Sequence, residues 1–323
     1  MNVDAAPARA GRSSPAATPL TALGTLWLFS RPHTLIATSL SILGIYVIAA
    51  TVLPGVAVGD GLGDLALTLV AGAAVNVYIV GLNQCEDVEI DRINKPGLPI
   101  AAGRLSLRVA WLIVAACAVL ALGMALSQGW VETVAVAVAL AIGTAYSSPP
   151  LRLKRYPALA AASISLVRAL VVNLGVYLHF ASSLGGRPEV SALPAAIVAL
   201  TLFVLPFSFA IAVLKDVPDA EGDRRFRIGT FTVRLGADAA FRMGMAALVT
   251  GYLAMAVAGP LFVDDANPWL LAVGHLACLA VLLGLAARVD PGDPAGFTRF
   301  YMRVWALFFV EYLLVPAAVV VGG

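Results

Sequence analysis

Residues 65–92 read LALTLVAGAAVNVYIVGLNQCEDVEIDR, an apolar run that passes without a break into a cluster of acids. About 20 consecutive apolar residues are what a helix needs to cross a bilayer. The acids therefore sit where such a helix would leave the lipid. Asn83, Asp87 and Asp91 are spaced by four, so on a continuing helix each is turned about 40° from the last and the three share a face. A second apolar run, 193–214, ends the same way in KDVPDAEGDR over 215–224, where Asp219 and Asp223 repeat the spacing. Stacked carboxylates repel and weaken a helix unless a cation sits among them. Ligands made only of oxygen favour a hard divalent ion such as Mg²⁺, which takes phosphate oxygens readily. Asn83, Asp87, Asp91, Asp219 and Asp223 are the predicted metal set, and its four aspartates are the predicted catalytic carboxylates. Together they point to a diphosphate held by metal ions at the edge of a lipid phase.

Composition supports the membrane setting. Of 323 residues, 60% are hydrophobic and 12% charged, with a mean hydropathy of +0.91; soluble domains are closer to half apolar and a quarter charged. Apolar runs cover 33–53, 65–84, 107–126, 130–147, 158–184, 193–214, 239–262, 269–288 and 300–320. Runs of this length exclude a β-barrel, whose strands are short and alternating. If nine spans alternate, every Lys and Arg except Arg187 and the intramembrane Arg168 falls on one side. The positive-inside rule then places the N-terminus in the cytoplasm. The fold class predicted is an all-α integral membrane protein of nine transmembrane helices, with residues 1–24 a disordered tail and 25–323 one membrane domain. Heavy use of Ala, Val and Arg over Lys points to a bacterial cell membrane, with the acidic mouth facing the cytoplasm.

A diphosphate needs cations besides the metal. Candidates are Arg31, Lys154, Arg155, Lys215 and Arg224; Lys154 and Lys215 stand out because the chain has only three lysines, each beside a motif. Arg168 lies about ten residues into the fifth span, roughly 15 Å deep. A guanidinium there costs at least ~2.5–3.5 kcal/mol on insertion scales, so it faces the bundle interior, toward either a buried partner or an anionic ligand. Asn173 lies on the same span, and His33 opens the first; with Arg168 they are the candidates for holding an acceptor molecule. His275 in the eighth span and Glu311 in the ninth are the other deep polar groups, and each reads as a helix–helix hydrogen-bonding partner rather than a catalyst. Cys85, Cys117 and Cys278 lack disulfide or metal spacing.

Four stretches, FSRPHT (29–34), NQCEDVEIDRINKPGLP (83–99), VRALVVNLGVYLH (167–179) and KDVPDAEGDRRFRIGTFTVRLG (215–236), resemble the UbiA-type intramembrane prenyltransferases, most of all the homogentisate phytyl- and solanesyltransferase-like branch. The resemblance implies nine helices around a central cavity capped by the aspartates. It implies transfer of a polyprenyl group from an allylic diphosphate to an aromatic, homogentisate-like acceptor. The cofactor implied is Mg²⁺, as two ions, with Mn²⁺ the alternative metal. The partners expected are the prenyl diphosphate, the aromatic small molecule and the bilayer, with neither nucleic acid nor an obligate protein partner. The chain departs from plant members at Asn173, where they carry Gln. Two alternatives keep the ionisation and change the acceptor: prenylation of a specialised-metabolite aromatic, or a membrane terpene cyclase of the same type.

Overall fold

The computed structural model describes residues 19–185 and 193–322. Among the described residues every regular element is helical: α1 (Pro19–Phe29), α2 (Pro32–Val52), α3 (Leu62–Glu86), α4 (Val88–Asn94), α5 (Leu107–Gln128), α6 (Trp130–Ser147), α7 (Pro157–Ser165), a π-helical segment (Leu166–Gly175), α8 (Val176–Ser183), α9 (Ala195–Leu214), α10 (Ala220–Arg225), α11 (Phe231–Leu235), α12 (Ala237–Phe262), α13 (Pro268–Ala286) and α14 (Pro294–Gly322). Nine are long and apolar enough to cross a membrane, counting Pro157–Ser183 as one. They coincide with the nine expected runs, and the last begins earlier, at Pro294. Helices solve the main problem of lipid, where a backbone N–H or C=O without an internal partner finds no water.

Burial shows which helix the others surround. In α9 67% of the spanning window is buried, against 22% in α5 and α13. Its sequence is apolar on every side, as expected for a helix surrounded by others. It packs on α12, α7, the π-helical segment and α14, while α3 pairs with α5 and α14 with α2. Aromatic rings fill the centre: Phe203 meets Tyr252 edge-to-face at 5.1 Å and Phe308 meets Tyr312 the same way at 5.3 Å, a geometry aromatic quadrupoles favour, while Phe207 lies tilted against Phe308 at 5.3 Å.

The helical chain begins at Pro19, ahead of the expected domain start at residue 25. Proline suits the first turn, where its missing N–H is no loss, and the ten helical residues that follow are largely apolar. The remaining tail, residues 1–18, and Arg187 lie outside the described residues.

His275 and Glu311 pair across α13 and α14, with Nε2 3.2 Å from Oε1, and both are buried. The His275 Nδ1 lies 2.6 Å from the Leu271 carbonyl, which fixes the ring. Removing either member strands the other in an apolar interior. Replacing Glu311 or His275 with leucine should lower the thermal midpoint in detergent by about 5–10 °C. The double replacement should lose less than the sum of the two; strict additivity would mean that the pair does not interact.

Candidate active site

The α3 helix is interrupted at Asp87, whose φ of −113° and ψ of 21° leave the helical region, and α4 starts at the next residue. The four-residue ladder continues across the break. Asp87 N–H donates to Asn83 O at 3.0 Å and Asp91 N–H to Asp87 O at 2.8 Å, so the three motif residues stay on one wall. On the opposite side Asp219 precedes α10, and Asp223 N–H donates to Asp219 O at 3.1 Å. Asn94 helps to join the two walls. Asn94 accepts from the Gly222 N–H at 2.9 Å and donates through Nδ2 to Asp223 Oδ1 at 3.4 Å. Gly222 permits this contact, since a Cβ there would come within 2.3 Å of Asn94 Oδ1. Asn83, Asp87, Asp91, Asp219 and Asp223 consequently all line one cavity of about 390 Å³ at the ends of the spans.

The same cavity takes in Arg31, Lys154 and Lys215 from the expected cation set. Arg155 and Arg224 do not line it; both are exposed. Arg224 is one residue, about 100° of helix, past the inward-facing Asp223, and Arg155 follows the buried Lys154 in a short 3₁₀ turn, so each points the other way. Two cations that sequence reading left without a role are present instead. Lys95 pairs with Asp219, and Arg152 Nη2 lies 2.8 Å from Asp87 Oδ1. Lys154 takes the other oxygen of Asp87, and Lys215 bonds Asp216 at 2.9 Å and the Tyr146 hydroxyl at 3.1 Å. All three lysines of the chain therefore end on a motif carboxylate. That each lies beside a motif was the available signal, and Lys95 is four residues beyond Asp91. Glu89 stays outside, paired with Arg92 on the surface.

Arg31 joins the ends of α1 and α2 in a left-handed conformation, φ 50°. The corner is held from α3, where Gln84 Nε2 donates to Phe29 O at 2.8 Å and Asn76 Nδ2 to Ser30 O at 3.1 Å. Arg31 thereby borders both the mouth and a second, deeper cavity of about 260 Å³. Arg168, in the π-helical segment, lines that deeper space. Its guanidinium lies over Trp305 at 4.7 Å and Phe308 at 5.2 Å, and its Nε has no hydrogen-bond partner. Among the described residues it pairs with no carboxylate. His33 lines the mouth and meets the Trp305 ring edge at 5.0 Å. Asn173 differs from expectation: it is fully buried away from both cavities and accepts from the Tyr312 hydroxyl at 2.6 Å. A polar side chain between two spans is drawn to the nearest donor, and here that donor is on α14.

The UbiA prenyltransferase family pattern matches residues 37–307. The chain belongs to the UbiA prenyltransferase family. It is 46% identical over 301 residues to the homogentisate phytyltransferase of Synechocystis sp., covering 90% of this chain and 94% of that one. With the chloroplastic homogentisate phytyltransferase 1 of Arabidopsis thaliana it shares 37% identity over 297 residues, 91% of this chain and 75% of the other. Its fold is that of a UbiA homologue from Archaeoglobus fulgidus solved with GPP and Mg²⁺, at a TM-score of 0.59 and 18% identity over 91% of this chain and 99% of that one.

The donor set suits a hard cation. Asn83, Asp87, Asp91, Asp219 and Asp223 each offer a side-chain oxygen to the mouth, and Asp91 Oδ2 is buried without a partner. Among the described residues no three acid, cysteine or histidine side chains gather tightly enough to enclose an ion alone. That matches a Mg²⁺ site that uses one or two carboxylates per ion and completes its shell with substrate phosphates. Burial pushes the Asp91 carboxyl up to about 6. Asp223 rises to about 7, through burial first and then the nearby Asp216 and Asp219 charges.

Two outcomes follow from this UbiA-family mouth. Metal must displace protons held below those values, so Mg²⁺ affinity in the presence of a prenyl thiolodiphosphate should weaken by about tenfold from pH 8 to pH 6, with proton release on binding; calorimetry in two buffers of different ionisation enthalpy reads both. Gly222→Ala should displace the flexible end of Asn94 and leave the bundle folded. We expect an unchanged circular dichroism spectrum and about tenfold weaker Mg²⁺-dependent thiolodiphosphate binding, about 1.4 kcal/mol.

Proposed function

We propose that this chain transfers a prenyl group from its allylic diphosphate to an aromatic acid of the homogentisate kind, at a mouth on the cytoplasmic side of a bacterial cell membrane. One observation carries the choice of acceptor. Arg168 is a guanidinium inside the bundle that pairs with no carboxylate among the described residues, stacked on Trp305 and open to the deeper cavity, which shares Arg31, Asn83 and Lys215 with the aspartate mouth. A carboxylate on an aromatic ring supplies both the missing charge and a surface to stack.

Mg²⁺, as two ions held by Asn83, Asp87, Asp91, Asp219 and Asp223, would neutralise charge on the departing diphosphate, the usual way such sites lower the barrier. The chain's own groups do the rest. Lys154, Lys215, Lys95, Arg152 and Arg31 stand around the mouth, and as the allylic C–O bond breaks they exchange motif carboxylates for the oxygens of the leaving group. The apolar walls of the deeper cavity keep water from the allylic cation. Arg168 holds the acceptor so that its ring, the nucleophile, forms the new C–C bond, and His33, which lines the mouth, receives the ring proton. Where the acceptor is an arylacetate, its CH₂–CO₂ bond then breaks, CO₂ leaves, and the methylene carbon takes a proton in its place.

The relatives named homogentisate phytyltransferase support this acceptor, and the homologue solved with GPP and Mg²⁺ supports the donor and metal. Asp87→Ala or Asp219→Ala should abolish product while the protein stays folded. Arg168→Gln should raise KM for homogentisate at least ~10-fold, the loss of one charge-assisted contact, and leave thiolodiphosphate binding unchanged. Cyclised hydrocarbon from geranylgeranyl diphosphate and Mg²⁺, with no acceptor added, would instead establish the cyclase reading.

A further inference from the structure

The deeper cavity runs away from the mouth between α2, α3, α6 and the fifth span. Two of its walls give its length independently. Thr68 and Asn83, both lining it, are fifteen residues apart on α3, and Glu132 and Tyr146 are fourteen apart on α6. At 1.5 Å per residue both separations come to about 21–22 Å. Between the ends the lining is mostly small and apolar, including Ile42, Val75, Val136, Ala139 and Val171. The far end is not apolar.

Glu132 stands there, in the first turn of α6. Acids are common at helix N-termini, where the dipole favours them, but such acids are ordinarily solvated. Glu132 is 3% exposed, and its Oε2 has no hydrogen-bond partner. Thr68, which lines the same cavity from α3, is engaged elsewhere: its hydroxyl donates to Gln128 Oε1 at 3.0 Å, and Gln128 Nε2 turns to Met124 O at 3.5 Å. A buried acid kept free of the protein's donors and turned into a ligand channel shapes what that channel accepts.

We propose that Glu132 sets donor chain length: its carboxyl group, with Thr68 beside it, closes the apolar channel opposite the diphosphate mouth and limits the number of isoprene units that bind. An extended isoprene unit adds four C–C bonds of about 1.5 Å in zigzag and advances about 5 Å. About four units fill the channel. A fifth would press hydrocarbon onto the acid and take it from any water or polar contact, which buried polar groups resist. A shorter donor leaves apolar wall uncovered and gives up burial.

This inference rests on the prenyl-diphosphate reading of the mouth, and its test separates the two. Purified full-length protein with Mg²⁺ is titrated with prenyl thiolodiphosphates, which resist ionisation, of 10, 15, 20, 25 and 45 carbons. Wild type should bind more tightly with each unit through 20 carbons and at least tenfold more weakly at 25. Glu132→Ala should bind the 25-carbon compound at least as tightly as the 20-carbon one, while Glu132→Gln, still polar, should keep the wild-type order. Wild-type affinity that continues to rise through 25 and 45 carbons overturns the proposal whether or not any variant folds, as does an Ala variant with the wild-type profile. Turnover of the 20-carbon diphosphate with homogentisate is followed in parallel. A length break without turnover upholds the role of Glu132 and counts against the acceptor assignment alone.

Discussion

Charge balance at the end of an apolar bundle is the constraint on which the rest of this structure depends. Asp87, Asp91, Asp216, Asp219 and Asp223 are all buried around one mouth, and like charges held so close in poorly hydrated surroundings repel strongly. Lys154 and Arg152 on Asp87, Lys95 on Asp219 and Lys215 on Asp216 offset them. Asp91, without such a cation, is the acid whose oxygen is left over. The cations that stabilise the acids before substrate arrives are the ones a diphosphate would require, so one set of side chains serves both states.

The bundle makes that crowding tolerable by fixing where each charge begins. α9, the most buried of the spans, delivers Lys215 and the second acidic motif, and α3 delivers the first. The two motifs meet through α4 and α10, short helices outside the spans, and Asn94 is the stitch between them. Below the mouth the deeper cavity carries Arg168, is walled mostly by aliphatic side chains, and ends at Glu132. Each zone is suited to a different part of an amphipathic donor and its acceptor.

Much of this was legible in the chain. Nine long apolar runs and one-sided charge defined the architecture, because in lipid the helix is almost the only option. The aspartate spacing identified all five residues that the mouth brings together, since a four-residue interval survives even the interruption at Asp87. What could not be read were contacts between distant segments. The Lys95–Asp219 and Arg152–Asp87 pairs join residues on different elements, and although the scarcity of lysine marked Lys95, nothing in a linear sequence distinguishes Arg152 from a cation placed by topology. Arg155 and Arg224 were misplaced by a single residue of helical rotation. Asn173 shared the span of Arg168, but its partner, Tyr312, lies at the other end of the chain.

Among the described residues, the non-glycine positions with positive φ are three arginines, Arg31, Arg152 and Arg227, and the first two carry their charge to the mouth. A left-handed backbone costs an ordinary L-residue about 1 kcal/mol or more, and glycine would relieve it. Selection for stability alone would favour glycine at both corners. Long cationic side chains there mean that the protein forgoes some robustness for reach: a tight corner projects a guanidinium inward from a point where neither adjoining helix would aim it. Efforts to raise the thermal tolerance of this protein will therefore meet activity at these two positions first.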